Sequence, residues 1–246
     1  MNFERITPIW LEETDSTNAE AMRMLKQGRP PEGSCIVARF QNEGRGQRSN
    51  VWLSPAGENL LISFILYPPS SAAQHPFMLS KALALTVLQT LEVFTQEAVR
   101  IKWPNDILIN GKKAAGILIE NQWLGSQWHA AIAGIGINVN QKKFDLPHAT
   151  SITRESEEII ALETVVSLLQ QRLSQMYKHL YTGDYFGLND AYHQKLFGKD
   201  DILRYSTDKG DLSARVVQVL DDGRIELVTE NGVLNRYDLS EIRLIY

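Results

Sequence analysis

Lys102-Trp103-Pro104-Asn105-Asp106 places a cation, an aromatic plane, an amide and a carboxylate within five residues. Lysine, asparagine and aspartate suit, in that order, a phosphate, a base or ribose, and a magnesium ion. The neighbouring pair Lys112-Lys113, taken alone, reads as an exposed basic hairpin tip. Period-2 alternation would turn Lys113 inward and Lys112 outward. A second segment, Gly44-Arg45-Gly46-Gln47-Arg48-Ser49-Asn50-Val51-Trp52, sets an arginine between two glycines. Glycine lets backbone N–H groups approach an anion, and the guanidinium adds fixed charge. The alternatives are an anion-binding loop and a solvated turn, and its length between two strands favours the former. A third, Gly134-Ile135-Gly136-Ile137-Asn138, lacks the third glycine and the acidic ribose ligand of a dinucleotide fingerprint. It reads as a glycine-bearing strand that a ligand or a neighbouring backbone approaches closely.

Other chemistries find no support. There is no Walker A sequence and no Gly-x-Ser-x-Gly elbow, and the five histidines show no metal-ligand spacing. The single cysteine, Cys35, stands beside Ile36 and Val37 and reads as a packed small hydrophobe. One cysteine also excludes a disulfide framework and a thiolate metal cluster.

Strands and helices must hold these segments in place. Short apolar runs predict strands over 6–13, 34–40 and 59–67, with the polar loop 41–55 between the last two. Asp15-Ser16-Thr17-Asn18 opens a helix, with capping-box spacing between Thr17 and Glu20, and Gly28 followed by Pro30-Pro31 stops it. After Pro76 the stretch 77–96 is apolar nearly all round and predicts a buried helix. Asn110-Gly111 between apolar runs predicts a hairpin, and 129–139 another strand. An amphipathic helix is expected over about 160–181, with Leu162, Val165, Val166, Leu169, Leu173, Met176 and Leu180 on one side, and a shorter one over 188–195. Beyond Phe197-Gly198 only β-alternation remains, broken by Asp222-Gly223 and Asn231-Gly232. Such a module is too small for a core of its own and must pack on the rest.

The 246 residues carry 25 basic and 29 acidic side chains, and 43% are hydrophobic, which suits a packed core with modest charge. No apolar run is long enough to span a bilayer, and the N-terminus does not look like a secretory signal, so a cytoplasmic protein is expected. The mild acidity is an average. Arg100, Lys102, Lys112 and Lys113 oppose Asp106 alone in 99–113, whereas residues 197–246 hold seven basic and ten acidic side chains.

Together these segments resemble the biotin–protein ligases, which attach biotin to carboxylase carrier domains. The resemblance rests on Asp15-Ser16-Thr17-Asn18, on Phe40-Gln41 leading to Gly44-Arg45-Gly46, and on Trp52-x-Ser54-Pro55-x-Gly57-x-Asn59-Leu60. It continues through Lys102-Trp103-Pro104-Asn105-Asp106, Lys113-x-Ala115-Gly116-Ile117-Leu118-Ile119-Glu120 and Gly134-Ile135-Gly136-Ile137-Asn138, all in family order. It implies an α+β fold: a mixed, largely antiparallel sheet with helices on one side, of class II synthetase type, over 1–195, and a small SH3-like β-barrel over 196–246. It implies ATP and Mg2+ as cofactors, biotin as substrate, and a biotin carboxyl carrier protein domain as partner. Biotin's carboxylate would form biotinyl-5′-AMP, which a carrier lysine then attacks. Neither step needs a protein nucleophile. A monomer or a homodimer is expected. The Ser-Thr-Asn motif begins at residue 16, so the resemblance is to the form without an N-terminal DNA-binding domain, and direct DNA binding is not expected.

By the same resemblance, Ser16, Thr17, Asn18 and Gln41 line the ureido pocket, and Gly116 also contributes to biotin binding. Arg45, Gly46 and Gln47 belong to the loop that folds over the biotinyl chain and the phosphate. Lys113 sits beside the carboxylate and α-phosphate and Lys102 is a second cation, so that Lys113, Arg45 and Lys102 form the catalytic set. Trp52, Asn105 and Asn138 are expected near the adenylate, and Asp106 as the magnesium partner. Three departures stand out. Gln47 occupies a position where many relatives carry an arginine that helps retain the adenylate. Ser49 replaces a frequent glycine and would stiffen the loop. Leu239-Ser240-Glu241-Ile242 stands where a Gly-Glu pair is common. The nearest rival is a lipoate or octanoate ligase or transferase of the same fold, which the Lys-Trp-Pro-Asn-Asp and Gly-Arg-Gly strings disfavour. A nucleic-acid-binding module is disfavoured by the tail's negative charge.

Overall fold

The computed structural model describes residues 2–245, except for the side chain of Ser49, so the expectation for that residue lies outside the described residues. Seven strands form the main sheet: β1 (Ile9–Thr14), β2 (Cys35–Gln41), β3 (Leu60–Leu66), β4 (Val99–Lys102), β5 (Asp106–Ile109), β6 (Lys112–Leu124) and β7 (Gln127–Ile137). Their spatial order is β1-β2-β3-β7-β6-β5-β4. Only β1 and β2 run parallel; the other neighbours are antiparallel, so the sheet is mixed and largely antiparallel as expected.

Period-2 alternation sorts the side chains into two faces. Val37, Ile62, Phe64, Ile107 and Ile135 point into the main core, where α2 (Phe77–Leu91) and α4 (Leu162–Thr182) cover them. α2 is buried nearly all round, as its largely apolar sequence predicts, but it ends at Leu91 and does not extend to residue 96. α4 buries Leu162, Val165, Val166, Leu169, Leu173 and Leu180, the stripe read from its periodicity. Between them in the chain lies the short α3 (Ile152–Ser156), and α5 (Tyr185–Gln194) follows α4. α5 begins three residues before the expected start because the Asp184 carboxylate caps it, accepting from the Gly187 N–H at 3.1 Å. On the opposite face, Ile36, Ile65 and Ile132 are covered by α1 (Thr17–Gln27) through Ala21, Met22 and Leu25. α1 covers only part of that face. The rest, around Leu61, Gly116, Gly134 and Gly136, is open to a cavity.

Two local features differ from the sequence pattern. The capping box does not form: Ser16 is the cap residue, Thr17 is already helical, and its hydroxyl donates to Gln41 instead. The Asn110-Gly111 hairpin does form, with φ of 49° and 73°, but β5 and β6 fall out of step beyond it. Leu108 opposes Lys113 whereas Ile107 opposes Ala115, which leaves Ala114 as a bulge. The extra residue rotates Lys113 onto the face of Gly116, three positions away, where strict alternation would separate them.

Five further strands, β8 (Leu203–Thr207), β9 (Gly210–Val219), β10 (Ile225–Thr229), β11 (Leu234–Tyr237) and β12 (Ile242–Leu244), make an antiparallel sheet in the order β11-β10-β9-β8-β12. Its turns use Gly223 and Gly232 at positive φ, at the Asp-Gly and Asn-Gly pairs. Tyr205, Val216, Val219, Ile225 and Leu227 join the same core as the main sheet. The connection itself extends the edge of β4: Ile101 donates to the Lys195 carbonyl and Phe197 to the Ile101 carbonyl, each at 2.8 Å.

Lys81 of α2 is fully buried where the two sheets meet. Its ammonium donates to Asn189 Oδ1 at 2.6 Å and to the Val219 carbonyl at 2.8 Å, with Asp221 at 3.6 Å. Burial lowers its pKa from 10.5 to about 8, against the pull of Asp221. Below pH 8 the folded and unfolded chains both hold this proton; between about 8 and 10.5 only the unfolded chain does. The unfolded state therefore binds more protons there, and stability rises with pH across that window. The expected outcome is a melting-temperature difference between wild type and Lys81→Met that shifts in favour of wild type as pH rises through it. A constant difference would refute the assignment.

Candidate active site

Ser16, Thr17 and Asn18 are buried at the start of α1, facing the open part of the sheet. Asp15 anchors them. Its carboxylate accepts from the Arg23 guanidinium at 2.8 and 2.9 Å, from the Ser16 N–H at 2.7 Å and from Thr14 Oγ1 at 3.0 Å. The bonds from Arg23, foremost, hold that carboxyl far below the usual carboxylate range. Gln41 Oε1 accepts from both the Thr17 N–H at 2.7 Å and Thr17 Oγ1 at 3.0 Å, which orients the amide and leaves its NH2 group facing away from Thr17. Ser63 Oγ lies 2.7 Å from Thr17 Oγ1 and 2.6 Å from Asn18 Oδ1. Asn18 Nδ2 in turn donates to Glu120 Oε2 at 2.7 Å. The result is a connected set of neutral donors and acceptors ending on one carboxylate.

The Gly-Arg-Gly loop folds back on itself. Trp52 N–H donates to the Gly44 carbonyl at 3.0 Å and Gly46 N–H to the Asn50 carbonyl at 2.7 Å. Gly44 is required there, since a Cβ would lie 2.3 Å from the Trp52 carbonyl oxygen. The Trp52 ring packs on β6 and β7, where a Cβ on Gly136 would come within 2.5 Å of it and one on Gly116 within 2.9 Å. Its Nε1 is buried with no hydrogen-bond partner.

Across from the loop, Asp106 binds two lysines at once. Lys113 Nζ lies 2.6 Å from Oδ1 and Lys102 Nζ 3.1 Å from Oδ2. Lys113 Nζ also stands 5.4 Å from the centroid of the Trp52 ring. Two ammonium groups against one carboxylate leave a net positive end to the cavity, suited to a carboxylate or a phosphate. This arrangement does not fit Asp106 as a magnesium ligand: both of its oxygens already serve lysines. No group of three or more His, Cys, Asp or Glu is placed to hold a metal among the described residues.

These groups line one cavity of about 690 Å³. It brings together Ser16, Thr17, Asn18, Gln41, Arg45, Gly46, Gln47, Trp52, Lys102, Asn105, Asp106, Lys113 and Gly116. Asn105 does so with its NH2 group committed to the Ile117 carbonyl at 2.9 Å, where it pins the turn between β4 and β5. Asn138 is the exception. It lies past the end of β7 outside the cavity wall, and its amide donates to the Thr150 carbonyl at 2.9 Å. It therefore steadies the segment that bears Leu146, a wall residue, rather than facing the cavity. Residues that sequence reasoning left without a role are Ser63, Glu120, Gly134 and Gly136. For the glycines, the close-approach reading of their strand was the available signal; for Glu120 it was its place at the end of the Lys113–Glu120 motif; Ser63 carried none. The second sheet and its turns also supply wall residues, including Tyr205, Val216, Leu239 and Arg243. Cys35 takes no part: it is buried in the core, and burial pushes its thiol up to about 12.

A sequence model of the Biotin/lipoate A/B protein ligase family matches residues 10–138. The Bifunctional ligase/repressor BirA of Bacillus spizizenii is 33% identical over 227 residues, covering 90% of this chain and 70% of that protein. A Biotin–[acetyl-CoA-carboxylase] ligase of Paracoccus denitrificans is 42% identical over 132 residues, 52% of this chain and 53% of that one. Among solved structures, the biotin protein ligase from Aquifex aeolicus in complex with biotin and ATP superimposes with a TM-score of 0.78 at 27% identity. That superposition covers 97% of this chain and 98% of that one.

Proposed function

The chain belongs to the Biotin/lipoate A/B protein ligase family, and we infer that it is a biotin–[acetyl-CoA-carboxylase] ligase acting through biotinyl-5′-AMP. One observation carries this reading to the residues: a neutral hydrogen-bonding pocket and a paired-lysine end occupy the two ends of one cavity. A ligand with a neutral polar ring, an apolar chain and a carboxylate fits that polarity.

In the first step a biotin carboxylate oxygen attacks the α-phosphorus of ATP, and the bond to the β-phosphate oxygen breaks to release pyrophosphate. Gln41, Ser16 and the Thr17–Asn18 pair hold the ureido ring, with Gly116 giving the chain a close approach to β6. Lys113 stabilises charge on the carboxylate and α-phosphate, and Lys102 and Arg45 neutralise the phosphates. Trp52, Gln47 and Asn105 flank the adenylate, and Asn138 acts from behind by holding the 146–150 segment. Mg2+ would arrive on the nucleotide's own phosphates rather than on a protein cage. In the second step the neutral amine of a carrier lysine attacks the anhydride carbonyl carbon. The bond to the phosphate oxygen breaks, AMP leaves, and the nitrogen loses its extra proton. The carrier is proposed to be a biotin carboxyl carrier domain of acetyl-CoA carboxylase, with residues 1–195 as catalytic module and 196–246 as an accessory module that walls the cavity.

ATP–pyrophosphate exchange with biotin, with lipoate and with neither tests the reading. Biotin-dependent exchange is expected; exchange with lipoate alone would reverse the choice of acid. Gln47→Arg is expected to slow dissociation of biotinyl-AMP by about tenfold, the scale of one charge-assisted hydrogen bond. Release of preformed adenylate from the two proteins, measured side by side, checks this.

A further inference from the structure

Glu120 belongs to no part of the chemistry described above, yet its two oxygens face two different parts of the site. It sits on β6 on the same face as Gly116 and Leu118, opposite Ile132 of β7. Oε2 accepts from Asn18 Nδ2 at 2.7 Å. Because a carboxylate can only accept, this contact forces the Asn18 amide to turn its oxygen the other way, toward Ser63 Oγ at 2.6 Å. Oε1 lies 3.7 Å from Arg45 Nη1, at the edge of the Gly-Arg-Gly loop. The two contacts differ in kind. The first is short, and its donor, Asn18, is buried. The second is long, and its partners are 50% and 33% exposed, so it is weak and readily broken.

We propose that Glu120 is a positioning residue that couples the ring pocket to the loop: one oxygen sets the Asn18 amide, and the other holds the Arg45 guanidinium until an anionic substrate competes for it. This rests on the reading of the cavity as a biotin site. Glu120 and the incoming carboxylate or phosphate are rivals for one cation. The weak Arg45 contact keeps that cation beside the cavity without withholding it from the substrate. Asn18, by contrast, stays bound to Glu120 throughout, so the pocket keeps its shape while the loop moves.

Calorimetric titration of biotin and of its uncharged methyl ester against wild type, Glu120→Gln and Glu120→Ala separates the two roles. Glutamine still accepts from Asn18 but no longer attracts Arg45. Glu120→Gln is therefore expected to bind biotin about threefold more tightly, the scale of an exposed ion pair, and the ester unchanged. Glu120→Ala leaves Asn18 Nδ2 only its longer contact, the Leu118 carbonyl at 3.4 Å, and is expected to weaken the ester about tenfold, and biotin by less. A residue that merely supports the fold would weaken both ligands alike in both variants. Absence of a selective gain for biotin in Glu120→Gln overturns the coupling. Failure of the wild-type chain to bind biotin would overturn the site reading itself, and the proposal with it.

Discussion

Lys113→Ala is expected to lower biotin-dependent ATP–pyrophosphate exchange by about a thousandfold, the loss typical of one preorganised group that stabilises transition-state charge. Lys113 is suited to that task because the bulge at Ala114 turns it onto the cavity face, and because Asp106 and the Trp52 ring hold its ammonium from two sides. The same contacts make the experiment clean. In the variant Asp106 keeps Lys102 at 3.1 Å, so its carboxylate is not left alone and the fold should survive. Thermal melting checks that point, and exchange checks the chemistry. A folded variant with near-normal exchange would remove Lys113 from the catalytic set.

The second large effect is expected at Gly134. β7 is paired on both sides, with β3 and with β6, so the backbone at Gly134 cannot give way. A Cβ there would lie 2.3 Å from Asn18 Oδ1 and 3.0 Å from Asn18 Cγ. Asn18 must then move, breaking its bonds with Ser63 and Glu120 together. Biotin affinity in Gly134→Ala should fall about thirtyfold, on the scale of a buried polar network losing its partners, with ATP binding little changed. Gly28→Ala is the control: a Cβ there meets nothing within 4 Å and should leave binding as it was. Equal biotin affinity in the Gly134 variant would show that Asn18 does not shape the pocket.

Much of the scaffold is legible in local patterns. The apolar run of α2, the stripe of α4 and the Asn-Gly hairpin each depend on residues within a few turns of one another. The glycines of β7 also announced a close approach, although not that the Asn18 side chain and the Trp52 ring are what approach them. Local patterns do not show a polar residue's distant partner. Thr17 has the spacing of a helix cap, but Gln41, 24 residues away, takes its hydroxyl instead. The resemblance puts Asn138 near the adenylate, and in the structure its amide donates to the Thr150 carbonyl across a loop. Asp106 has the chemistry of a metal ligand, and two lysines brought together by β4, β5 and β6 occupy it.

The sequence alone determined the type of site: which cations, amides and glycines are present, and in what order. Tertiary structure decided which of those groups meet. The bulge that turns Lys113 toward Gly116 exists only in the register between β5 and β6, and no single-strand pattern contains it. Glu120 and Asn18 lie 102 residues apart and touch because β6 passes beneath the start of α1. The second sheet walls the cavity because fifty residues bury too little surface alone and must share a core. Periodicity assigns a residue to a face; pairing between distant strands chooses its neighbours, and those neighbours set the chemistry.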